Sequence, residues 1–301
     1  MNETALLINT ALASGTTLAL AALGLLINER AGVLNLGAEG MMLVAAVAGF
    51  AVAFTTGSDT LGFVAAALAA VFGLLVIFLN TNQYATGLAL SLFGYGFSAF
   101  VGVGMVGQSL SARQQHAIPA LSDLPFVGPA LFSHHPMVYV AMALTAGIAW
   151  FFYRTRSGLL LRAIGENPEP AHALGYPVRL IRLAAVCAGG ALCGRAGAYV
   201  SLVTAPLWVE GLTAGRGWIA LALTVFATWR PARALLGAYL FGGVTVLQLN
   251  LQAQGVQISS HLLTMLPYVA TVVVLALISR NTAFIRLNMP ASLGKAFRPG
   301  S

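Results

Sequence analysis

Residues 28–40 read Asn28-Glu29-Arg30-Ala31-Gly32-Val33-Leu34-Asn35-Leu36-Gly37-Ala38-Glu39-Gly40, a polar, glycine-bearing stretch between apolar runs near 5–27 and 33–55. Each run reaches the roughly 20 apolar residues that an α-helix needs to cross a hydrocarbon core. Glycines and charges at that junction predict a broken helix. Freed backbone groups and a carboxylate such as Glu39 are tolerated at membrane depth only where they face protein or a water-filled path. A pathway or gate role for Glu39 and a purely structural ion pair both fit the sequence.

Outward from this stretch, further apolar segments fall near 61–79, 84–107, 136–153, 183–205, 216–229, 234–254 and 261–279. The reading is an all-α polytopic membrane protein with about nine transmembrane helices, in which the short segment 216–229 is re-entrant or tilts with its successor. Composition agrees: 58% of the 301 residues are hydrophobic and 8% charged, where a soluble domain carries about a quarter charged residues. A soluble globular enzyme and a disordered chain are both excluded.

Net charge is +7, and in a membrane protein such a surplus marks cytoplasmic loops. With the N-terminus outside, the inner side holds Arg30, then Arg154, Arg156, Arg162, Arg179 and Arg182, then Arg230 and Arg233, then Arg280, Arg286, Lys295 and Arg298. The outer side keeps only Arg113 and Arg216. The expectation is N-out, C-in. No basic residue precedes the first apolar stretch, so that helix reads as retained rather than as a cleaved signal.

The segments that open the second and seventh spans, Ala31 to Gly37 and Gly215-Arg216-Gly217-Trp218-Ile219-Ala220, both contain glycine and lie five spans apart, hence in opposite orientation. That is the pattern of an inverted-topology repeat. Asn35, Glu39, Arg216 and Trp218 are therefore candidates for a translocation pathway or gate. So is Arg195, whose position midway along the sixth span is costly unless its side chain meets a partner or a cavity. An interhelical ion pair or bonds to backbone carbonyls would serve Arg195 equally well.

The long basic loop 154–182 carries Arg162-Ala163-Ile164-Gly165-Glu166-Asn167-Pro168-Glu169-Pro170-Ala171-His172-Ala173-Leu174-Gly175-Tyr176-Pro177. These residues spell a short capped helix: Asn167 as N-cap, Pro168 at the first position, Glu169 at the positive end, Gly175 just past the stop and Pro177 barring continuation. Two exposed turns are marginal alone, so docking against a partner is expected.

Cys187 and Cys193 have neither CxxC nor disulfide spacing and read as packing residues. The histidines lack ligand spacing, so no metal is expected. Lys295, the sole lysine, sits in no GxxxxGK[ST] pattern. Any ATP chemistry must then belong to another chain, and no cofactor is expected in this one.

Four blocks carry a family resemblance: Asn28 to Met41, Ser157 to Pro168, Gly215 to Ala222, and Leu266-Pro267-Tyr268-Val269-Ala270-Thr271. In combination they resemble the inner-membrane permease subunits of ABC importers for branched-chain amino acids, simple sugars and nucleosides. The first block looks most like the smaller permease of the nucleoside-type branch. The resemblance implies a single permease domain over 1–301, multi-pass in the bacterial inner (cytoplasmic) membrane. Its implied partners are an ATP-binding subunit holding ATP and magnesium, a second, non-identical permease, and an external solute-binding protein. It also implies that the 154–182 loop couples to the ATPase through Arg162, Gly165, Glu166, Asn167, Pro168, His172 and Gly175. Gly194-Arg195-Ala196-Gly197 departs from the small, apolar pattern usual at that place. The competing readings are an ion-gradient-driven secondary transporter using Glu39 and Arg195, against which the scarcity of intramembrane acids argues, and a membrane-embedded enzyme, for which no nucleophile–base or metal constellation appears.

Overall fold

The computed structural model of the protein describes residues 3–69, 82–110, 116–117, 122, 127–254, 259, 262, 265–279, 288–295 and 297. Twelve helices occupy these residues: α1 Glu3–Arg30, α2 Ala38–Thr56, α3 Asp59–Ala69, α4 Gln83–Gly102, α5 Val127–Leu131, α6 Pro136–Arg154, α7 Arg156–Glu166, α8 Pro168–Ala173, α9 Val178–Tyr199, α10 Arg216–Phe226, α11 Pro231–Ala253 and α12 Leu266–Ser279. A two-residue ladder pairs β1, His116–Ala117, with β2, Ser133–His134.

Six described helices are long and apolar enough to span a membrane: Thr4–Arg30, Ala38–Thr56, Gln83–Met105, Pro136–Arg154, Val178–Thr204 and Pro231–Ala253. They match six of the nine expected spans. The other three appear as shorter helices: α3 with the second half of its span, 70–79, outside the described residues, the 11-residue α10, and the 14-residue α12. Arg280, Arg286 and Arg298 also lie outside the described residues.

The core is built around α1, whose residues Leu18 to Leu26 are buried against α9, α10 and α11. Small residues set the distance of approach, as packing in lipid favours. A Cβ on Gly24 would fall 2.4 Å from the Gly189 carbonyl of α9, and one on Gly242 of α11 would fall 2.4 Å from the amide of Gly15.

Helix α1 stops where its sequence directs. The Gly32 amide donates to the Glu29 carbonyl at 2.8 Å and the Val33 amide to the Asn28 carbonyl at 3.0 Å, the paired bonds of a Schellman stop, with Gly32 at φ +83° in the left-handed position. The break thus lies at 31–37, and Asn28, Glu29 and Arg30 belong to the helix. Past the stop the chain climbs. Gly32 lies against Arg182, near the start of α9, whereas Gly197 packs on the Met42 carbonyl. At 1.5 Å per residue along α9 those levels differ by roughly 22 Å. Glu39 accordingly sits deep inside the bundle.

Candidate functional site: a carboxylate joining two interrupted helices

Helix α2 begins at Ala38 and α10 at Arg216, and Glu39 connects the two starts. Its side chain is buried and accepts three bonds: from Thr213 Oγ1 at 2.5 Å and the Gly215 amide at 2.9 Å on one oxygen, and from the Gly217 amide at 2.6 Å on the other. The first amides of a helix have no intrahelical acceptor, and a carboxylate there is favoured by the helix dipole. Glu39 therefore caps α10 from a different helix. Gly217 permits this contact, since a Cβ there would lie 2.6 Å from the Glu39 amide nitrogen.

Around this node Asn35 Oδ1 accepts the Gly37 amide at 3.0 Å, turning the chain into α2. Ser91 of α4 donates to the Leu36 carbonyl at 2.8 Å, and Gln83 accepts the Leu34 amide at 2.8 Å. The climbing segment is held by side chains, as irregular backbone at membrane depth must be. Arg216 Nη1 donates to the Leu212 carbonyl at 3.1 Å and to the Thr213 carbonyl at 3.4 Å.

The far end of α10 is fastened as firmly. Its stop uses Thr228 and Trp229 at φ +49° and +54°, a region that costs non-glycine residues energy and persists where surroundings enforce it. The Trp229 carbonyl accepts both Nε and Nη2 of Arg30, at 3.1 and 2.9 Å. The Trp229 indole donates to Glu29 Oε2 at 2.5 Å. Arg233 Nη1 donates to Thr228 Oγ1 at 2.8 Å. Half-helix α10 is thus pinned to α2 at its start and to α1 at its end.

The same end of α1 meets the basic loop. A Cβ on Gly165 would fall 2.1 Å from the Arg30 carbonyl. Beyond it α8 forms as its residues predict: Asn167 Oδ1 accepts the Glu169 amide at 3.1 Å, Pro168 occupies the first turn, and Gly175 takes φ +84°. Of α8 only Ala171 is buried; His172, Leu174 and Tyr176 are exposed. The C-terminal stretch braces the loop. The Ser292 hydroxyl lies 2.7 Å from the Gly165 carbonyl and accepts from Arg182 Nη2 at 2.9 Å. Phe297 is buried with Ile164, Ala171 and Val178 and meets the His172 ring edge-on at 5.5 Å. Glu166 Oε2 accepts the Ala291 amide at 3.2 Å, and the Arg162 guanidinium lies over Tyr153 at 5.3 Å.

Comparison with known proteins decides what kind of machine carries these parts. The profile of the branched-chain amino acid transport system / permease component family matches residues 7–279. The chain belongs to that family. The permease is 42% identical, over 99% of its length and 98% of the relative's, to a putative glucose ABC transporter permease of Haloferax volcanii. It is 30% identical to a nucleoside ABC transporter permease of Lactococcus lactis, over 92% and 93% of the two chains. It is 29% identical to a guanosine ABC transporter permease of Bacillus subtilis, over 94% and 93%. No solved structure gives a significant match. With its six long apolar helices the permease is a multi-pass protein of the inner membrane.

Of the five pathway candidates read from the permease sequence, the structure joins Asn35, Glu39 and Arg216 in one region and separates two. Trp218 is exposed and lies two residues past Arg216, about 200° around α10 from it. Arg195 is half-buried and has no hydrogen bond or ion pair among the described residues. The helix that carries it runs from Val178 to Thr204, and Arg195 lies two residues before Gly197, which packs on the Met42 carbonyl, so it sits at about the depth of the start of α2. Sequence reasoning passed over Thr213, Trp229 and Ser292. Nothing local marks Thr213 or Ser292, while Trp229-Arg230-Pro231 offered a signal, because proline commonly follows a helix stop and opens the next helix.

Proposed function

We propose that this permease is the smaller of two non-identical permeases in an ATP-driven importer, forming with its partner a path for nucleosides or purine-type solutes. Solute is delivered from outside by a binding protein. ATP and magnesium bind a separate ATPase subunit, so this chain performs no hydrolysis. The orientation is N-out, C-in, which puts α7 and α8 on the cytoplasmic face together with Arg30 and Arg230. The span count in this reading is nine, with α10 a half-span that reaches the bilayer interior from the cytoplasmic side.

The observation that carries the reading is α8. It is a six-residue helix capped at both ends and braced from behind by Phe297, and just past it Leu174 and Tyr176 stand in solvent at 77% and 44% exposure. A capped helix this short is marginal alone, and the apolar residues exposed beside it give a partner something to cover. Arg162, Gly165, Glu166, Asn167, Pro168, His172 and Gly175 build or flank it, and its motion reaches α1 through the contact of Gly165 with Arg30. Asn35, Glu39 and Arg216 belong to the pathway region by this account, with Arg195 on α9 and Trp218 on α10 as further candidates for it.

A second reading of the solute, a simple sugar, is favoured by the 42% identity to the putative glucose permease. Nucleosides and simple sugars share a hydroxyl-bearing sugar ring, and oxopurines present ring carbonyls. Gentle purification at native expression, with mass spectrometry of accompanying chains, tests the assembly: an ATP-binding subunit and a second permease are expected. Recovery of a stable chain alone that moves solute on an ion gradient in liposomes would replace the proposal. Uptake of radiolabelled guanosine, xanthine, ribose and glucose in a deletion strain decides the solute, and loss of sugar uptake alone would select the second reading.

A further inference from the structure

Between Thr204, where a π-helical turn continuing α9 from Val200 ends, and the start of α10 the chain runs as irregular backbone from the level of Trp208 down to Glu39. Its upper part is paired: the Trp208 amide donates to the Gln108 carbonyl at 3.2 Å, and the Leu110 and Gly107 amides donate to Pro206 and Trp208 at 2.8 and 3.2 Å. Its lower part is paired mainly from Ala214 on, where the Ala214 amide donates to the Gly211 carbonyl at 2.8 Å and the Arg216 amide to the Thr213 carbonyl at 3.0 Å, and Leu212 and Thr213 are buried. Among the described residues, the amides of the exposed Val209 and Glu210 and of the half-buried Gly211 have no acceptor. Arg216 spends only Nη1 on the backbone, and among the described residues its remaining N–H groups have no partner and are not sealed from solvent. Two exposed phenols flank the segment. The Tyr268 hydroxyl donates to the Ala214 carbonyl at 3.1 Å, and the Tyr95 ring lies 3.3 Å from where a Cβ of Gly211 would be.

Hydrocarbon cannot solvate open amides or a guanidinium, so non-helical backbone at this depth persists only against protein or a water-filled cavity. We infer that the 209–216 segment, with Arg216, Tyr95 and Tyr268, is a solute-contacting station of the translocation path, suited to a neutral ring that bears several carbonyl or hydroxyl oxygens. The donors are in excess: amides and guanidinium offer N–H groups, and oxygen atoms answer them. Charge favours neutrality, because the buried Glu39 carboxylate at the same helix start offsets Arg216. The exposed phenol rings supply flat faces for the apolar side of such a ring. Glu39 is excluded from solute contact, since both of its oxygens are committed to Thr213, Gly215 and Gly217. This inference rests on the importer reading and adds the place and chemistry of solute contact.

The test uses the assembled importer in cells. Cys187 and Cys193 are replaced by alanine, and the exposed Ala214 becomes Ala214→Cys. Modification of that thiol by a charged, membrane-impermeant methanethiosulfonate is expected, slowed several-fold by saturating guanosine or D-glucose. Arg216→Gln is expected to raise the KM for uptake on the order of tenfold, the loss of one hydrogen bond to a charged group, with kcat little changed. A merely structural arginine would lower the amount of assembled protein and leave KM alone. Reaction of Ala214→Cys with membrane-permeant N-ethylmaleimide but not with the charged reagent would overturn the inference, as would protection by leucine alone. If the ATP-binding subunit co-purifies while Ala214→Cys resists the charged reagent, this inference fails and the importer reading stands. If that subunit never co-purifies, the importer reading fails whatever the thiol does.

Discussion

Replacing Glu39 by alanine removes the acceptor shared by one hydroxyl and two backbone amides at the start of α10. Thr213 can turn its hydroxyl elsewhere, but the amides of Gly215 and Gly217 cannot move without unwinding the helix. A buried donor left unsatisfied costs about 1–3 kcal/mol, so the two amides together cost on the order of 2–6 kcal/mol. Glu39→Gln is the sharper probe because its shape is conserved. A carboxamide has one acceptor oxygen, and its NH2 must then face either Thr213 and Gly215 or Gly217, all of which donate. A thermal melt of the purified complex in mild detergent reads the effect directly. Glu39→Ala should melt on the order of 5–10 °C below the parent, from about 2 °C or more per kcal/mol for a chain of this size, and Glu39→Gln should keep at least half of that loss. A Glu39→Gln variant that melts with the parent would refute the reasoning, since the site would then tolerate a donor where the structure requires an acceptor.

Trp229→Phe keeps the ring in its pocket but strands Glu29, whose second oxygen already has no partner; stability should fall by about 1–3 kcal/mol in the same melt, and Glu29→Gln in that background should restore part of it. Gly217→Ala drives a methyl group against the backbone of Glu39 and should cost about 1–3 kcal/mol through overpacking, whereas Gly147→Ala, inside helix α6 where the added carbon meets nothing, should cost nothing and gain up to about 1 kcal/mol. A Glu166→Arg/His172→Glu double variant should insert normally yet separate ATP hydrolysis from uptake, and normal uptake by it would count heavily against α8 as the coupling element. His134, outside the long apolar helices, has its pKa lowered by burial, opposed by its bond to the Ala130 carbonyl. The neutral ring is the folded form, so its contribution is complete above the ordinary histidine value of 6.5 and shrinks as pH falls through it; His134→Gln should flatten that part of the stability–pH curve.

Much of the architecture was legible because the membrane leaves a chain few choices. Runs of about 20 apolar residues can only be helices there, and six of the expected spans stand where their composition put them. Helix stops were legible too, because they are local: Gly32 ends α1, and Asn167, Pro168 and Gly175 bound α8 by interactions within a few residues. The break after Arg30 was foreseen, although Asn28, Glu29 and Arg30 turned out to close the helix rather than to interrupt it.

Partnerships across the chain were beyond the sequence's reach. Glu39 meets Thr213, Gly215 and Gly217 across 174 to 178 residues, and Arg30 meets Trp229 across 199; no periodicity or motif encodes such distances. The sequence supplied a buried carboxylate in need of donors and a half-helix in need of a cap. It also offered Arg195 and Trp218 as equals of Arg216, because each is a polar or aromatic group in an apolar span. Tertiary structure alone decided which needs answer one another, since a hydrogen bond depends on where two atoms finally lie, and in this bundle the central packing of α1 against α9, α10 and α11 fixes those positions.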